Sequence, residues 1–356
     1  MMDPDTLKIT FLLVDPSPCL RWLVLRQLLG LPEGHAEVQE LAAQREKDPL
    51  VTGLLRMQQP DGAWQAGPES YGSTNSSRIL VTGFALARLG YLGFDQSHPA
   101  VAAAGEYLFS QQQADGSWPL HPDYLEDEED APRSGRERYS MMPMQTAFPL
   151  RGLAACGFAA DPRAEKAYEW LLAQRLADGA WPTGMAYGVN GYVAGYRRLP
   201  HSRWGCRSNT TSALLCLGLH PQRRYSPEAR RGLDLLLGRE TRERHVMGCE
   251  VARLLGAEPA HGFITFFARF DLALILSLCA QVGATLDDLR VASLVEFILQ
   301  VRGQFGLWEY SPAPQVARWV TFDLLRSLSA LTQDSGWLSQ EPRTPFQPYL
   351  KRGKRF

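Results

Sequence analysis

The sequence predicts an all-α fold, an α/α toroid of about six inner and five to six outer helices. Three observations support this prediction: a short motif recurs, two kinds of predicted helix alternate between its copies, and neither end of the series carries a convincing polar cap. An open superhelix of repeats needs such caps, whereas a closed ring does not. We therefore expect one toroid domain over residues 1–356, with the repeats within about 18–332.

The recurring motif has the form Gln, Asp-Gly, Trp. Near-intact copies end at Trp64, Trp118 and Trp181. A degenerate copy that lacks the Asp ends at Trp308. These tryptophans lie 54, 63 and 127 residues apart, which places a further, degenerate copy near residue 244. Glycine permits the left-handed turn that ends a helix, and an indole can pack over that helix end. We therefore interpret the motif as a structural connection between repeats.

Two kinds of helix alternate along the chain. One kind is amphipathic, which is typical of a helix with one buried face, and the other is apolar on all sides, which is typical of complete burial. The amphipathic helices, expected in the outer ring, span about 36–57, 99–112, 162–174, 227–239 and 287–300. The apolar helices, expected in the inner ring, begin near residues 18, 76, 145, 209, 266 and 320.

Composition narrows the class of protein. The chain has 356 residues, 45% of them hydrophobic, and a net charge of −1, so nothing favours a nucleic-acid partner. The first residues do not show the pattern of a signal peptide, in which a basic segment precedes an apolar one, and no apolar run reaches about 18 residues. We therefore expect a cytoplasmic protein with at most peripheral membrane contact. Six scattered cysteines without a CxxC pair fit a reducing compartment. The oligomeric state stays open.

The Gln-x-x-Asp-Gly-x-Trp elements and the ring plan resemble the QW repeats of squalene and oxidosqualene cyclases and the related repeats of protein prenyltransferase β subunits. The resemblance covers about residues 18–332. It implies a deep apolar cavity among the inner helices that holds an isoprenoid chain. For the cyclases it also implies an Asp-x-Asp-Asp-Thr acid motif at the start of an inner helix, and no inner-helix start here carries that cluster. The Asp-x-Cys and later His of a prenyltransferase zinc site are not in place either.

Two aspartates, Asp271 and Asp323, occupy roughly the position of the last aspartate of the cyclase acid motif. Each interrupts an apolar run, where desolvation would raise the pKa of the carboxyl as a general acid requires. The alternative is that each pairs with a nearby arginine, Arg269 or Arg318, or caps a helix end. Aromatic neighbours could form a cavity wall that faces a carbocation through cation–π attraction. These are Phe266, Phe267, Phe270, Trp319 and Phe322.

A long loop between residues 182 and 207 is rich in arginine and aromatic residues. Loops of this length inside a compact domain are usually functional, and inner-helix N-termini point their N–H groups toward this end of the ring. We expect a lid or rim that binds an anionic head group. The substrate-binding candidates in it are Tyr196, Arg197, Arg198, Arg203, Trp204 and Arg207.

The candidate metal ligands match no known metal-site pattern closely. No cofactor is predicted, although Mg²⁺ or zinc is possible. The acidic run 121–130 could hold Mg²⁺ against a diphosphate, although most such runs are only solvated. Zinc ligand types occur at Cys206, His245, Cys249 and His261, at spacings that fit no standard site.

Three functions therefore stay open. The first is a terpenoid cyclase-like enzyme that binds an isoprenoid-like small molecule and catalyses acid-initiated cyclisation or isomerisation. The second is a zinc- or magnesium-dependent prenyltransferase-like enzyme. The third is a non-catalytic toroid that binds a lipid or another protein.

Overall fold

The chain is described by a computed structural model, which covers residues 4–65, 75–119, 144–186, 189–191, 193, 197–238, 246–258, 271–303 and 305–331. Helices dominate this part of the chain, and they form two concentric rings. The predicted all-α toroid is confirmed. No helix among the described residues is long and apolar enough to span a membrane.

The inner ring consists of six helical segments. In chain order they are α2 (Pro18–Leu23, continued by a π-helical turn, Val24–Leu28), α5 (Asn75–Tyr91), α7 (Met144–Ala155), α9 (Arg207–Leu219), α12 (Leu272–Val282) and α14 (Ala317–Leu331). From α5 onward each packs against the next, and α14 returns to the π-helical turn after α2. The connection from α2 to α5 runs through Arg45, whose guanidinium lies 3.8 Å from the Trp22 ring and donates to the Gly93 carbonyl.

The outer ring carries the amphipathic helices. These are α3 (Ala36–Arg45), α4 (Pro49–Leu55), α6 (Pro99–Ser110), α8 (Pro162–Ala173), α10 (Pro227–Leu237) and α13 (Leu289–Gln300). The predicted helix 36–57 is two helices, because the Asp48 side chain accepts from the Leu50 N–H and begins a new helix at Pro49. A capping side chain followed by proline at the first helical position also begins α6, α8 and α10.

The Trp motif connects three elements of each repeat. The indole of Trp181 is fully buried and donates to the Leu171 carbonyl, while its backbone N–H donates to the Thr210 hydroxyl at the start of the next inner helix. Gly179 has the left-handed φ of 96° that the turn requires. The same pair of bonds recurs at Trp64, Trp118 and Trp308. The motif is therefore structural, as the sequence predicts.

The inner helices α5 and α7 cross at unusually short range. Gly83 of α5 and Gly152 of α7 face each other, and a Cβ atom on Gly152 would lie 2.1 Å from the Gly83 carbonyl oxygen. Only glycine allows two helix backbones to approach this closely.

Several elements were not predicted from the sequence. They are α1 (Pro4–Leu13), α11 (Cys249–Leu254) and two short paired strands, β1 (Met185–Ala186) and β2 (Val189–Asn190), in the predicted long loop. All six residues of α11 are buried. This helix packs against α5 and α14, which are not neighbours in the ring, so α11 lies inside it.

The fifth inner helix begins later than predicted. Its expected start near residue 266 is replaced by Leu272, because the Asp271 side chain accepts from the Ala273 N–H and fixes the helix end there. The degenerate motif copy near residue 244 lies outside the described residues.

Candidate functional site

A cavity of about 140 Å³ lies on the axis of the inner ring. All six inner helical segments and α11 contribute to its lining, which includes Gln27, Tyr91, Arg151, Leu215, Ser277 and Asp323. An engineered apolar cavity of about 150 Å³ holds one benzene molecule, so the space suits a molecule of about that size. The lining mixes aliphatic with charged residues, whereas the family resemblance implies an apolar wall.

The central helix α11 closes one end of the cavity. Val251 and Leu254 form part of the lining, and the Glu250 N–H of α11 donates to Asp271, at the start of α12, at 2.8 Å. At the other end, near the C-termini of the inner helices, the lining residues Gln27, Gln281 and Arg326 are exposed or half-exposed. The cavity therefore reaches solvent on the side of the inner-helix C-termini.

Asp271 is fully buried and connects α11 to α12. Its Oδ1 accepts from the backbone N–H groups of Gly248 and Ala273, and its Oδ2 accepts from that of Glu250, at 2.8–3.1 Å. Burial raises the pKa of this carboxyl to about 6, while the backbone hydrogen bonds act in the opposite direction. Both oxygens are thus engaged in positioning two helix starts, which agrees with the capping alternative.

Asp323 borders the same cavity from α14. Within the part of the chain that the structure describes, its carboxylate has one hydrogen-bonded partner, the guanidinium of Arg326. Burial raises the pKa of Asp323, against the opposing charges of Arg326 and Arg151. The alternative pairing with Arg318 is not found, because Arg318 reaches Asp15 at 3.3 Å instead. Arg269, proposed as the partner of Asp271, lies outside the described residues.

A buried ion network around Glu250 was not predicted from the sequence. Its carboxylate accepts from Arg151 of α7 at 2.5 Å and from Arg253 of α11 at 2.7 Å, and all three residues are buried. Burial raises the pKa of Glu250, but the charges of Arg253 and Arg151 outweigh that effect, so the pKa is lowered. The Arg253 spacing of three residues was visible in the sequence, whereas the contact with Arg151 depends on the position of α11.

The aromatic residues predicted as a cavity wall have a different place. Trp319 packs against Tyr91 at 5.8 Å between ring centroids, and Phe322 is buried beside the Arg326 guanidinium. Neither belongs to the lining, because they face neighbouring side chains of the ring. Phe266, Phe267 and Phe270 lie outside the described residues.

The predicted lid residues lie at the opposite end of the ring from the cavity opening. Arg207 is buried and donates to the Leu236 carbonyl, and Arg203 lies 4.9 Å from the Trp204 ring. Arg197 is half-buried and Arg198 exposed, and no described residue of 182–207 lines the cavity. Tyr196 lies outside the described residues. Head-group binding by this loop stays a prediction.

The metal candidates are only partly described. Cys206 and Cys249 are buried, and burial, aided by the Asp271 charge, raises the pKa of the Cys249 thiol to about 12. His245, His261 and the acidic run 121–130 lie outside the described residues. Elsewhere, in the ranges that the structure covers, no group of three His, Cys, Asp or Glu residues could hold a metal ion.

The pKa of Asp271 predicts a pH dependence of stability. The folded-state value of about 6 exceeds the ordinary value of about 4, so the native state binds the proton more tightly. The resulting stabilisation is complete below pH ~4 and is lost as the pH rises through ~6. Relative to Asp271→Asn, the wild-type free energy of unfolding should therefore fall by roughly 2–3 kcal/mol between these values, as measured by urea unfolding.

The comparison with Asp271→Asn removes the effect of Glu250, whose lowered pKa acts with the opposite sign in both proteins. A difference between the two proteins that stays constant with pH would contradict the assignment to Asp271.

Sequence comparisons connect this architecture to known proteins. The family model for the squalene-hopene cyclase C-terminal domain matches residues 33–197. The squalene–hopene cyclase of Zymomonas mobilis subsp. mobilis is 31% identical over 132 residues, which is 37% of this chain and 18% of that protein. The probable squalene–hopene cyclase of Sinorhizobium fredii is 30% identical over 136 residues, 37% and 19% of the two chains. The chain spans about a fifth of the length of these curated relatives.

Two solved structures are also similar. A protein from Actinoplanes matches with a TM-score of 0.46 and 16% identity, covering 93% of this chain and 100% of that one. The type II terpene cyclase MstE from Scytonema matches with a TM-score of 0.32 and 15% identity, covering 78% and 95%. The family model and the curated relatives confirm the predicted resemblance.

Proposed function

We propose that this chain, a member of the terpenoid cyclase-like superfamily, binds a short isoprenoid or similarly hydrophobic molecule in its central cavity. Asp323 would donate a proton to an alkene of that molecule, and so initiate a cyclisation or isomerisation. The observation that carries the proposal is a buried carboxyl of raised pKa on the cavity wall. The curated relatives are named as squalene–hopene cyclases, and the cavity volume favours a much shorter substrate here.

The choice between the two candidate aspartates follows from their hydrogen bonds. Asp271 uses both oxygens to accept from backbone N–H groups, so its lone pairs are committed to the fold. Asp323 is bound by one guanidinium, which can stabilise the carboxylate left after the proton has moved to the alkene carbon. The proton would return to Asp323 when the carbocation loses a proton to form the product.

A second candidate function, a non-catalytic ligand-binding toroid, is favoured by the position of α11. This helix and the Arg151–Glu250 pair occupy space on the ring axis that a long isoprenoid chain would need. In that case the cavity would bind a small molecule without converting it.

Replacement of Asp323 with asparagine distinguishes the two functions. Purified protein is incubated with linear isoprenoids of increasing length, from prenol to squalene, and the products are separated by gas chromatography and mass spectrometry. We expect Asp323→Asn to lower turnover by at least about a hundredfold, the usual contribution of a general acid. Glu309→Gln, which neutralises an exposed carboxylate, is the control and should keep the wild-type rate.

Turnover that survives Asp323→Asn would contradict the role of Asp323. Binding of an isoprenoid without any product from the wild type would support the non-catalytic function.

A further inference from the structure

Tyr91 provides the central cavity with a buried hydrogen-bond donor. Its hydroxyl is buried and has no hydrogen-bond partner among the described residues, although Tyr91 lines the cavity. The ring packs against Trp319, which limits its movement. Burial and the nearby Asp323 charge raise the pKa of Tyr91 above its usual value, so the group stays a hydrogen-bond donor. A buried donor without an acceptor costs about 1–3 kcal/mol, which a ligand acceptor would recover.

An unpaired acceptor also lines the cavity, on Gln281 of α12. Gln281 donates from Nε2 to the Ser277 hydroxyl, whereas its Oε1 is buried and has no partner among the described residues. Tyr91 and Gln281 therefore present one donor and one acceptor from opposite sides of the ring. Hydroxyl groups both donate and accept hydrogen bonds, so a hydroxylated molecule can satisfy both side chains.

The charges of the lining disfavour an anionic ligand. Arg151 is paired with Glu250, and Arg326 is bonded to Asp323 and to Gln27. The Arg151 guanidinium is thus neutralised by Glu250, and the Arg326 guanidinium is committed to hydrogen bonds with Asp323 and Gln27. The C-terminal ends of the inner helices surround the opening, and their carbonyl groups carry partial negative charge. A diphosphate would meet repulsion there and find no uncommitted arginine among the described lining residues.

Entry is restricted to one end of the ring. Two backbone hydrogen bonds that Asp271 accepts, from Gly248 and Glu250, and the Glu250 ion network hold α11 across the other end. The half-exposed lining residues lie at the C-terminal ends of the inner helices. Access through the face that carries the 182–207 loop would require α11 to leave its place.

From these contacts we infer that the cavity binds a small, neutral, hydroxylated molecule, which bonds to Tyr91 and Gln281 and enters between Gln27, Gln281 and Arg326. The inference rests on the proposed function, since this molecule would be the one that Asp323 protonates. A prenyl alcohol fits this description and a prenyl diphosphate does not.

Binding of three probes to the full chain tests the ligand class. The probes are prenol, dimethylallyl diphosphate and 2-methyl-2-butene, which share a branched alkene and differ in the polar group. Affinity is measured by ligand-observed NMR and calorimetry. We expect prenol to bind most tightly, and Tyr91→Phe to weaken it roughly three- to tenfold, the loss expected for one hydrogen bond. Tyr168→Phe removes a buried hydroxyl that bonds Cys216 and does not line the cavity, so it should leave binding unchanged.

Two bulky substitutions test the entry route. Gln281→Trp at the cavity opening should slow prenol association at least about tenfold, whereas Arg203→Trp at the opposite end should not. The inference is overturned if the diphosphate binds more tightly than prenol, if Tyr91→Phe binds prenol like the wild type, or if Arg203→Trp alone blocks entry. Prenol binding without conversion would support this inference while contradicting proton transfer by Asp323, so the two proposals fail separately.

Discussion

Replacing Glu250 with glutamine is expected to destabilise the protein by about 3–5 kcal/mol. The carboxylate neutralises two buried guanidiniums, Arg151 and Arg253, whose side chains are 11% and 1% exposed. An amide keeps the shape but removes the charge, and leaves two cations in a region of low dielectric constant. Because Arg151 belongs to α7 and Glu250 to α11, the loss should also loosen the central helix.

Urea unfolding of the wild type and Glu250→Gln measures this effect. The control is Glu106→Gln, which neutralises the 66% exposed partner of Arg163 and should cost less than about 1 kcal/mol. Equal losses from the two substitutions would show that the buried network does not stabilise the ring.

Replacing Gly152 with alanine is expected to cost about 3 kcal/mol or more. The new methyl carbon would lie 2.1 Å from the Gly83 carbonyl oxygen, and a backbone atom cannot move aside as a flexible side chain can. The helices α5 and α7 would have to separate, which widens one side of the inner ring. The gain in helix propensity from glycine to alanine, about 1 kcal/mol, does not offset this strain.

Gly53→Ala is the matched control for this substitution. Gly53 also lies within a helix, α4, but it is exposed and a Cβ atom there meets nothing within 4 Å. That change should stabilise the protein by up to about 1 kcal/mol, so the two variants shift the thermal midpoint in opposite directions. A Gly152→Ala variant as stable as the wild type would contradict the close crossing.

The ring could be predicted from the sequence because its signals are local. Four of the six outer helices, α4, α6, α8 and α10, begin with a side-chain cap followed by proline, and each Trp motif connects a helix end to the next inner helix. The helix α11 has no such signal, since six residues are too few to show a period and their burial depends on the surrounding ring. The motif that would have marked this repeat is degenerate, so the segment that fills the ring was not recognised as a helix.

The candidate site was predictable only in part. Asp271 and Asp323 are correctly singled out as carboxyls in apolar surroundings, and burial does raise both pKa values. Their different roles depend on distant backbone groups, such as the Gly248 and Glu250 N–H groups that reach Asp271 across the chain. The position of α11, which was not predicted from the sequence, determines which side of the cavity its half-exposed lining residues occupy.

The contact between the last inner helix and the start of the chain has a kinetic consequence. Arg318 and Asp15 lie 303 residues apart in sequence, and Arg326 and Gln27 lie 299 apart, whereas from α5 to α14 each inner helix packs against the next one along the chain. Contacts between residues so far apart in sequence have the largest entropic cost of loop closure. We therefore expect them to form after the repeats have stacked. Arg326 also borders the cavity opening. Opening of this junction would therefore also widen the proposed ligand entrance.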